Sequence, residues 1–215
     1  MIISDLHSIL IIANGEIPQK GIFQKLVLEA DCIVAVDGGS NICYEHNIYP
    51  NFIIGDLDSI NPNVSAHFHD SEIIQLEDQN RHDLDKAIEF TRTLNPEKIM
   101  VIGAFGKRLD HSLANILLLQ SIPHDCSIIF YDDYGQLSQI QGTQQLNLQA
   151  NTTVSLFSFL PVFGLSLEGF QYSLQDQNFP AGFNGLSNLI VANPAKIRIK
   201  TGSIFLYSIY ENVTP

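Results

Sequence analysis

Positive charge is scarce in this sequence. Only 11 Lys and Arg stand against 23 Asp and Glu in 215 residues, a formal net charge of −12. No basic run occurs. The clustered cations that a DNA or RNA backbone demands are missing, which excludes nucleic acid as an expected partner. Such acidity is compatible with a cytoplasmic protein and with metal-assisted phosphate chemistry, and proves neither. Cysteine is scarce too. Cys32, Cys43 and Cys126 are odd in number, widely spaced and free of any CxxC pattern. That excludes a disulfide framework and points to buried thiols in a reducing compartment. The opening MIISDLHSILIIANG lacks the positive start of a secretion signal, and its apolar run Ile9–Ala13 is too short to span a bilayer. Neither export nor a membrane span is expected. There is no internal repeat and no low-complexity linker.

Hydrophobic residues are plentiful, at 45%. They suffice for one large core or two smaller ones. Through about residue 135 they gather in short runs: Ile9–Ala13, Ile33–Val36, Phe52–Ile54, Ile99–Ile102 and Ile128–Tyr131. These runs do not alternate with polar residues, as befits strands buried on both faces. Amphipathic stretches lie between them. Leu84, Ala87, Ile88 and Thr91 recur at helical spacing in 83–94, and Leu109, Leu113, Ile116 and Leu117 do so in 109–122. Alternating strand and helix predicts an α/β, doubly wound, mostly parallel sheet with flanking helices. Ligands of such sheets gather beyond the carboxyl ends of the strands.

From about residue 142 the texture changes. Strand-like runs crowd together at 145–148, 153–159, 165–168, 171–174, 189–192, 196–200 and 203–210, separated by Pro and Gly. No helical period remains. This predicts a C-terminal antiparallel β-sandwich at 143–215, after an α/β domain at 1–142.

The unusual residues follow the strands of the first domain. Asp37-Gly38-Gly39-Ser40-Asn41 comes after Val36. Gly55-Asp56-Leu57-Asp58-Ser59 comes after Ile54. In extended chain, residues i and i+2 face one way, so Asp56 and Asp58 can aim both carboxylates at one hard cation such as Mg²⁺. A solvated polar turn would have the same composition. Asp83 opens a predicted helix, where it can cap the helix, supply a third carboxylate, or do both. Asp85 and Lys86 read as ordinary first-turn and exposed-face residues. Gly103-Ala104-Phe105-Gly106-Lys107-Arg108 brings two of the few cations to a glycine loop, which favours phosphate. Its spacing is not that of a P-loop. Asp110 reads as a cap, and His111 as structural or solvent-facing with no acid–base role. Gly182–Asn188 reads by itself as an ordinary hairpin.

Taken together, DGGSN (37–41), IIGDLDSI (53–60), DQNRHDLDKA (78–87), GAFGKRLDH (103–111) and GLSN (185–188) resemble the thiamine pyrophosphokinase family in order and spacing. The resemblance implies an α/β domain followed by a β-sandwich, and a homodimer with active sites between subunits. It implies transfer of pyrophosphate from ATP to thiamine, with Mg²⁺ on Asp56, Asp58 and Asp83. The catalytic set carried over is Asp58, Asp83 and Arg108. Asp37, Gly38, Gly39, Ser40, Asn41, Gln79, Arg108 and Asp110 map to ATP, Lys107 is expected from its charge to help Arg108 at the phosphates, and Ser187 and Asn188 map to thiamine. Two positions depart from the family's pattern: His82 stands where Thr is usual, and Lys107 where a second glycine is usual. The alternatives are a diphosphokinase for a pterin alcohol, a glycosyltransferase using Asp56-Leu57-Asp58 as its metal motif, and a non-catalytic protein that binds nucleotide or thiamine.

Overall fold

The computed structural model describes residues 6–55, 64, 67–75 and 81–210. Two compact units divide the chain, Met1–Asp133 and Tyr134–Pro215. In the first unit the order is β1 (Ser8–Ile12), α1 (Lys20–Glu29), β2 (Cys32–Val36), α2 (Gly39–Glu45), β3 (Phe52–Gly55), β4 (Glu72–Gln75), α3 (Asp83–Thr93), β5 (Lys98–Ile102), α4 (Leu109–Ser121) and β6 (Ser127–Tyr131). The strands lie in the order β6-β5-β1-β2-β3-β4 and every pair is parallel.

The central strands show why their runs lack alternation. Ile9 to Ile12 and Ile99 to Ile102 are fully buried, so both faces of the sheet need apolar side chains. The chain builds outward from β1 through β2 to β4, then crosses back to add β5 and β6 on the other side. That reversal puts the switch point between β1 and β5, where doubly wound sheets open a crevice for ligands. β4 was not anticipated. It is a short edge strand with Ile73 substantially exposed, and an edge needs no long apolar run.

α3 buries Leu84, Ala87, Ile88 and Thr91, the expected stripe. Its acidic first turn and Arg92 in the last turn both suit the helix dipole. α4 differs. Leu109, Leu113 and Leu117 recur at helical spacing, yet all three are exposed and only Leu119 is buried.

The second unit holds β7 (Gly135–Leu146), β8 (Thr153–Ser158), β9 (Val162–Glu168), β10 (Leu174–Phe179), β11 (Gly182–Leu189) and β12 (Ala195–Ile209). Residue 142 falls inside β7, so the units divide earlier than the change in texture suggested. β7 hides in sequence because its buried Leu137, Ile140 and Leu146 are spaced by Gln, Ser and Thr. The runs 196–200 and 203–210 form one strand, β12, with an irregular register between Arg198 and Ser203. Its first half pairs with β9 and its second with β8, while β7 runs beside both. Two antiparallel runs of one connected sheet, β10-β9-β12-β7 and β11-β8-β12-β7, therefore share their long strands. One core built on Ile140, Val154, Leu156, Leu165, Ile197, Ile204 and Leu206 lies in this unit. This is the expected sandwich, with long strands turning from one run to the other. The segment 171–174, expected as a strand, enters one only at Leu174.

Candidate active site

The loops after β1 and β5 meet at the switch point, backbone against backbone. Ala13 N donates to Ile102 O at 2.9 Å, Gly15 N to Gly103 O at 2.8 Å and Glu16 N to Phe105 O at 2.8 Å. Glycine is required for this approach. Gly103 has φ +69°, and a Cβ there would lie 2.2 Å from the Ala13 carbonyl oxygen. Asn14 and Gly15 were not singled out from the sequence. The signal was available, because Asn-Gly ends the run Ile9–Ala13 as other polar pairs end theirs.

The loop after β2 stands next to them. Asp37 adopts φ +46°, and its amide donates to Ile54 O at 2.8 Å. That bond ties it to Ile54 in β3, two residues before Asp56 in the chain. Gly38 and Gly39 carry the turn into α2. A Cβ on Gly38 would press on the Asn14 carboxamide, 2.3 Å from Nδ2, and one on Gly39 would lie 2.0 Å from Ile12 O. Ser40 is fully buried, and its hydroxyl donates to Asp37 O at 2.8 Å. It shapes the turn. Asn41 is half-buried in the first turn of α2.

The cations of the β5 loop have different partners. The Lys107 Nζ donates to Asn14 O at 2.6 Å and to Asn14 Oδ1 at 3.1 Å. Arg108 forms a two-pronged pair with Asp110, Nε to Oδ1 at 3.1 Å and Nη2 to Oδ2 at 2.5 Å. Both groups are largely exposed. The guanidinium is the first cause that holds the Asp110 carboxyl down at about 2. Asp110 thus orients Arg108. The N-cap position of α4 is Arg108 itself, with no side-chain capping bond. His111 is exposed.

α3 starts beside α4: the rings of His82 and His111 lie 6.4 Å apart between centroids. Asp83 therefore shares a corner with the Arg108–Asp110 pair. It is the first residue of α3 and not its cap, a position held by His82 without a side-chain bond. Lys86 is not on an exposed face. It is 7% exposed, and its ammonium donates to Asp83 Oδ1 at 3.0 Å. A buried ammonium needs such a counter-charge. Asp85 accepts from Arg81 Nε at 2.7 Å, in keeping with an ordinary first-turn acid.

Asp56, Asp58 and Gln79 lie outside the described residues. Among the described residues no group of three His, Cys, Asp or Glu could hold a metal. Asp83 alone represents the expected set, at the mouth of an anion-favouring helix start. Its oxygen donor, like those of Asp56 and Asp58, is the kind a hard dication takes.

In the second unit Ser187 is exposed with φ +54°, and its amide donates to Ser155 Oγ at 3.2 Å. Asn188 is 3% exposed. Its Oδ1 accepts from Tyr172 N at 3.0 Å and Leu189 N at 2.9 Å, and its Nδ2 donates to Tyr172 O at 3.0 Å. The carboxamide thus fixes the Tyr172 backbone, while Tyr172 itself is 65% exposed. Sequence alone did not flag Tyr172, because its tie to Asn188 is not local.

The thiamin pyrophosphokinase catalytic domain matches residues 23–130, and the thiamin pyrophosphokinase vitamin B1 binding domain matches 139–205. The chain belongs to the thiamine pyrophosphokinase family. Thiamine pyrophosphokinase 1 of Arabidopsis thaliana is 29% identical, over 93% of this chain and 85% of its own. The Bacillus subtilis thiamine pyrophosphokinase is 26% identical, over 74% of this chain and 76% of its own. Solved structures agree on the fold. That of the B. subtilis thiamine pyrophosphokinase superposes with a TM-score of 0.82 at 22% identity, covering 95% of this chain and 99% of the other. The Candida albicans thiamin pyrophosphokinase gives 0.82 at 20%, covering 96% and 90%. Both family domains thus occur here in family order. No helix of the described residues is long and apolar enough to cross a membrane.

Proposed function

We propose that this chain transfers the terminal pyrophosphoryl group of ATP to the hydroxyethyl oxygen of thiamine, giving thiamine diphosphate and AMP. The observation that carries the reading is the meeting of the 13–16, 37–41 and 103–110 loops at the switch point of a family catalytic domain. Asp37–Asn41 and the glycines beside it form the nucleotide side, where backbone can approach a ligand closely. Arg108, held by Asp110, presents a fixed cation to the phosphates, and Gln79 is proposed as a further phosphate contact. Phosphoryl-type transfer asks chiefly for positioning and charge neutralisation, which these groups supply. The thiamine oxygen forms a bond to the β-phosphorus, the bond from that phosphorus to the α–β bridging oxygen breaks, and AMP departs as the alcohol gives up its proton. Asp56, Asp58 and Asp83 would hold Mg²⁺, which when bound neutralises charge on the polyphosphate. Lys86 would keep Asp83 oriented. In the second unit Ser187 would meet thiamine directly, while Asn188 would serve that site by holding the turn beside Tyr172. A homodimer in the cytoplasm is the proposed setting, and light scattering near twice 23.9 kDa would agree with it.

The test is a product assay. Purified protein with Mg²⁺ and ATP is incubated with and without thiamine, and AMP and ADP are separated. AMP formed only with thiamine, in step with thiamine diphosphate, is expected. ADP in its place would refute attack at the β-phosphorus. Binding of both substrates without turnover would refute catalysis, and turnover with a pterin alcohol alone would refute the acceptor.

A further inference from the structure

We infer that Lys107 is a positioning residue: a strut that pins Asn14, and through Asn14 the Asp37–Asn41 turn, in the arrangement that receives ATP. The inference rests on the reading that this edge binds ATP, and it gives Lys107 a role other than phosphate ligand. Three observations carry it. First, Lys107 has φ +53°, a backbone that glycine adopts without strain and lysine does not. A side chain kept there needs a use. Second, the ammonium is committed across the β1/β5 seam, to Asn14 O at 2.6 Å and Asn14 Oδ1 at 3.1 Å. Third, Asn14 is seated on the next loop: a Cβ on Gly38 would fall 2.3 Å from its Nδ2 and 2.5 Å from its Cγ. The Asn14 carboxamide thus fills the space beside Gly38 that a Cβ would take, and Lys107 holds it there. One cation thus ties together the ends of β1, β2 and β5. Arg108, held in its own pair with Asp110, is left as the cation that faces phosphate.

The test combines Lys107→Met, Asn14→Ala and the double variant, with two readouts. Calorimetry with Mg-ATP should show each single variant binding roughly tenfold more weakly, the scale of one charge-assisted hydrogen bond. The double variant should be no weaker than the worse single, because both changes break one contact. In unliganded protein, the Gly15 and Glu16 amides should exchange faster in all three. Lys107→Gly removes the side chain and the strain together. It should match or exceed wild-type stability while binding Mg-ATP as weakly as Lys107→Met, which separates lost positioning from lost folding. Multiplying affinity losses with unchanged amide exchange would overturn the strut and make Lys107 a direct ligand. Wild-type protein that does not bind Mg-ATP would overturn the ATP reading instead, and the exchange rates alone would then judge the strut.

Discussion

Gly103→Ala tests the close approach of the strand-end loops. The new methyl would sit 2.2 Å from the Ala13 carbonyl oxygen, where Cβ contacts under 3.0 Å essentially never occur. Its neighbour is backbone at the end of a fully buried strand, so it cannot swing aside. Gly103 also has φ +69°. Left-handed backbone costs a non-glycine residue about 1–2 kcal/mol, and forced overpacking adds a further ~1–3 kcal/mol. The expected destabilisation of the first unit is therefore about 2–5 kcal/mol. Three companion variants separate the contributions. Gly142 has φ +67° with nothing within 4 Å of an added Cβ, so Gly142→Ala should cost only the conformational ~1–2 kcal/mol. Gly39 has no positive φ but would meet Ile12 O at 2.0 Å, so Gly39→Ala reports the clash alone. Gly21 lies in α1 with open space around it, and Gly21→Ala should stabilise by about 0.5–1 kcal/mol. Urea unfolding followed by circular dichroism gives each midpoint, compared at constant slope. If Gly103→Ala costs no more than Gly142→Ala, the β1 and β5 loops do not touch as described, and the seam on which the site is built is wrong.

Other outcomes are specific. Asn188→Ala should destabilise the second unit by roughly 1–2 kcal/mol, since it removes the part-buried partner of the Tyr172 N–H and C=O; a thermal midpoint equal to wild type would refute that role. If Asp83 belongs to the proposed Mg²⁺ set, Asp83→Asn should cut turnover by a factor on the order of 100, with part recovered at high Mg²⁺, and unchanged kinetics would remove Asp83 from that proposal. Burial raises the Cys32 thiol to about 11 and the Cys43 thiol to about 12. The native state then keeps protons that the unfolded chain releases, so stability falls as pH rises from about 9 through these values. At pH 8 a thiol reagent should label half-buried Cys126 first, and rapid labelling of all three would contradict the buried positions. The Asp110 carboxyl should titrate near 2 by NMR. Its value is depressed, so what its pairing contributes is present above the unfolded value of about 3.9 and lost as pH falls through about 2. An ordinary titration near 4 would mean the pair with Arg108 does not persist in solution.

Much of this molecule was determined by local pattern. Unbroken apolar runs such as Ile9–Ala13 and Ile99–Ile102 can only be satisfied by burial on both faces, so they fixed a parallel sheet, and with it the edge where ligands gather. The polar residues after those runs then marked the candidate site, and the shift to short, closely spaced strands marked a second unit. What tertiary structure decided was partnership. Lys107 finds Asn14 across 93 residues, because the sheet order sets β5 against β1. Lys86 looks like any exposed helix lysine until α3 is laid down with that face inward, where Asp83 must balance it. Asn188 reads as a turn residue, yet its amide is consumed by Tyr172, 16 residues away. β7 and β4 escaped notice because a half-buried or edge strand needs few apolar residues. Composition and period report which side of an element meets the core. They carry no record of which distant group a polar side chain will meet, since that follows from the order in which the strands are assembled.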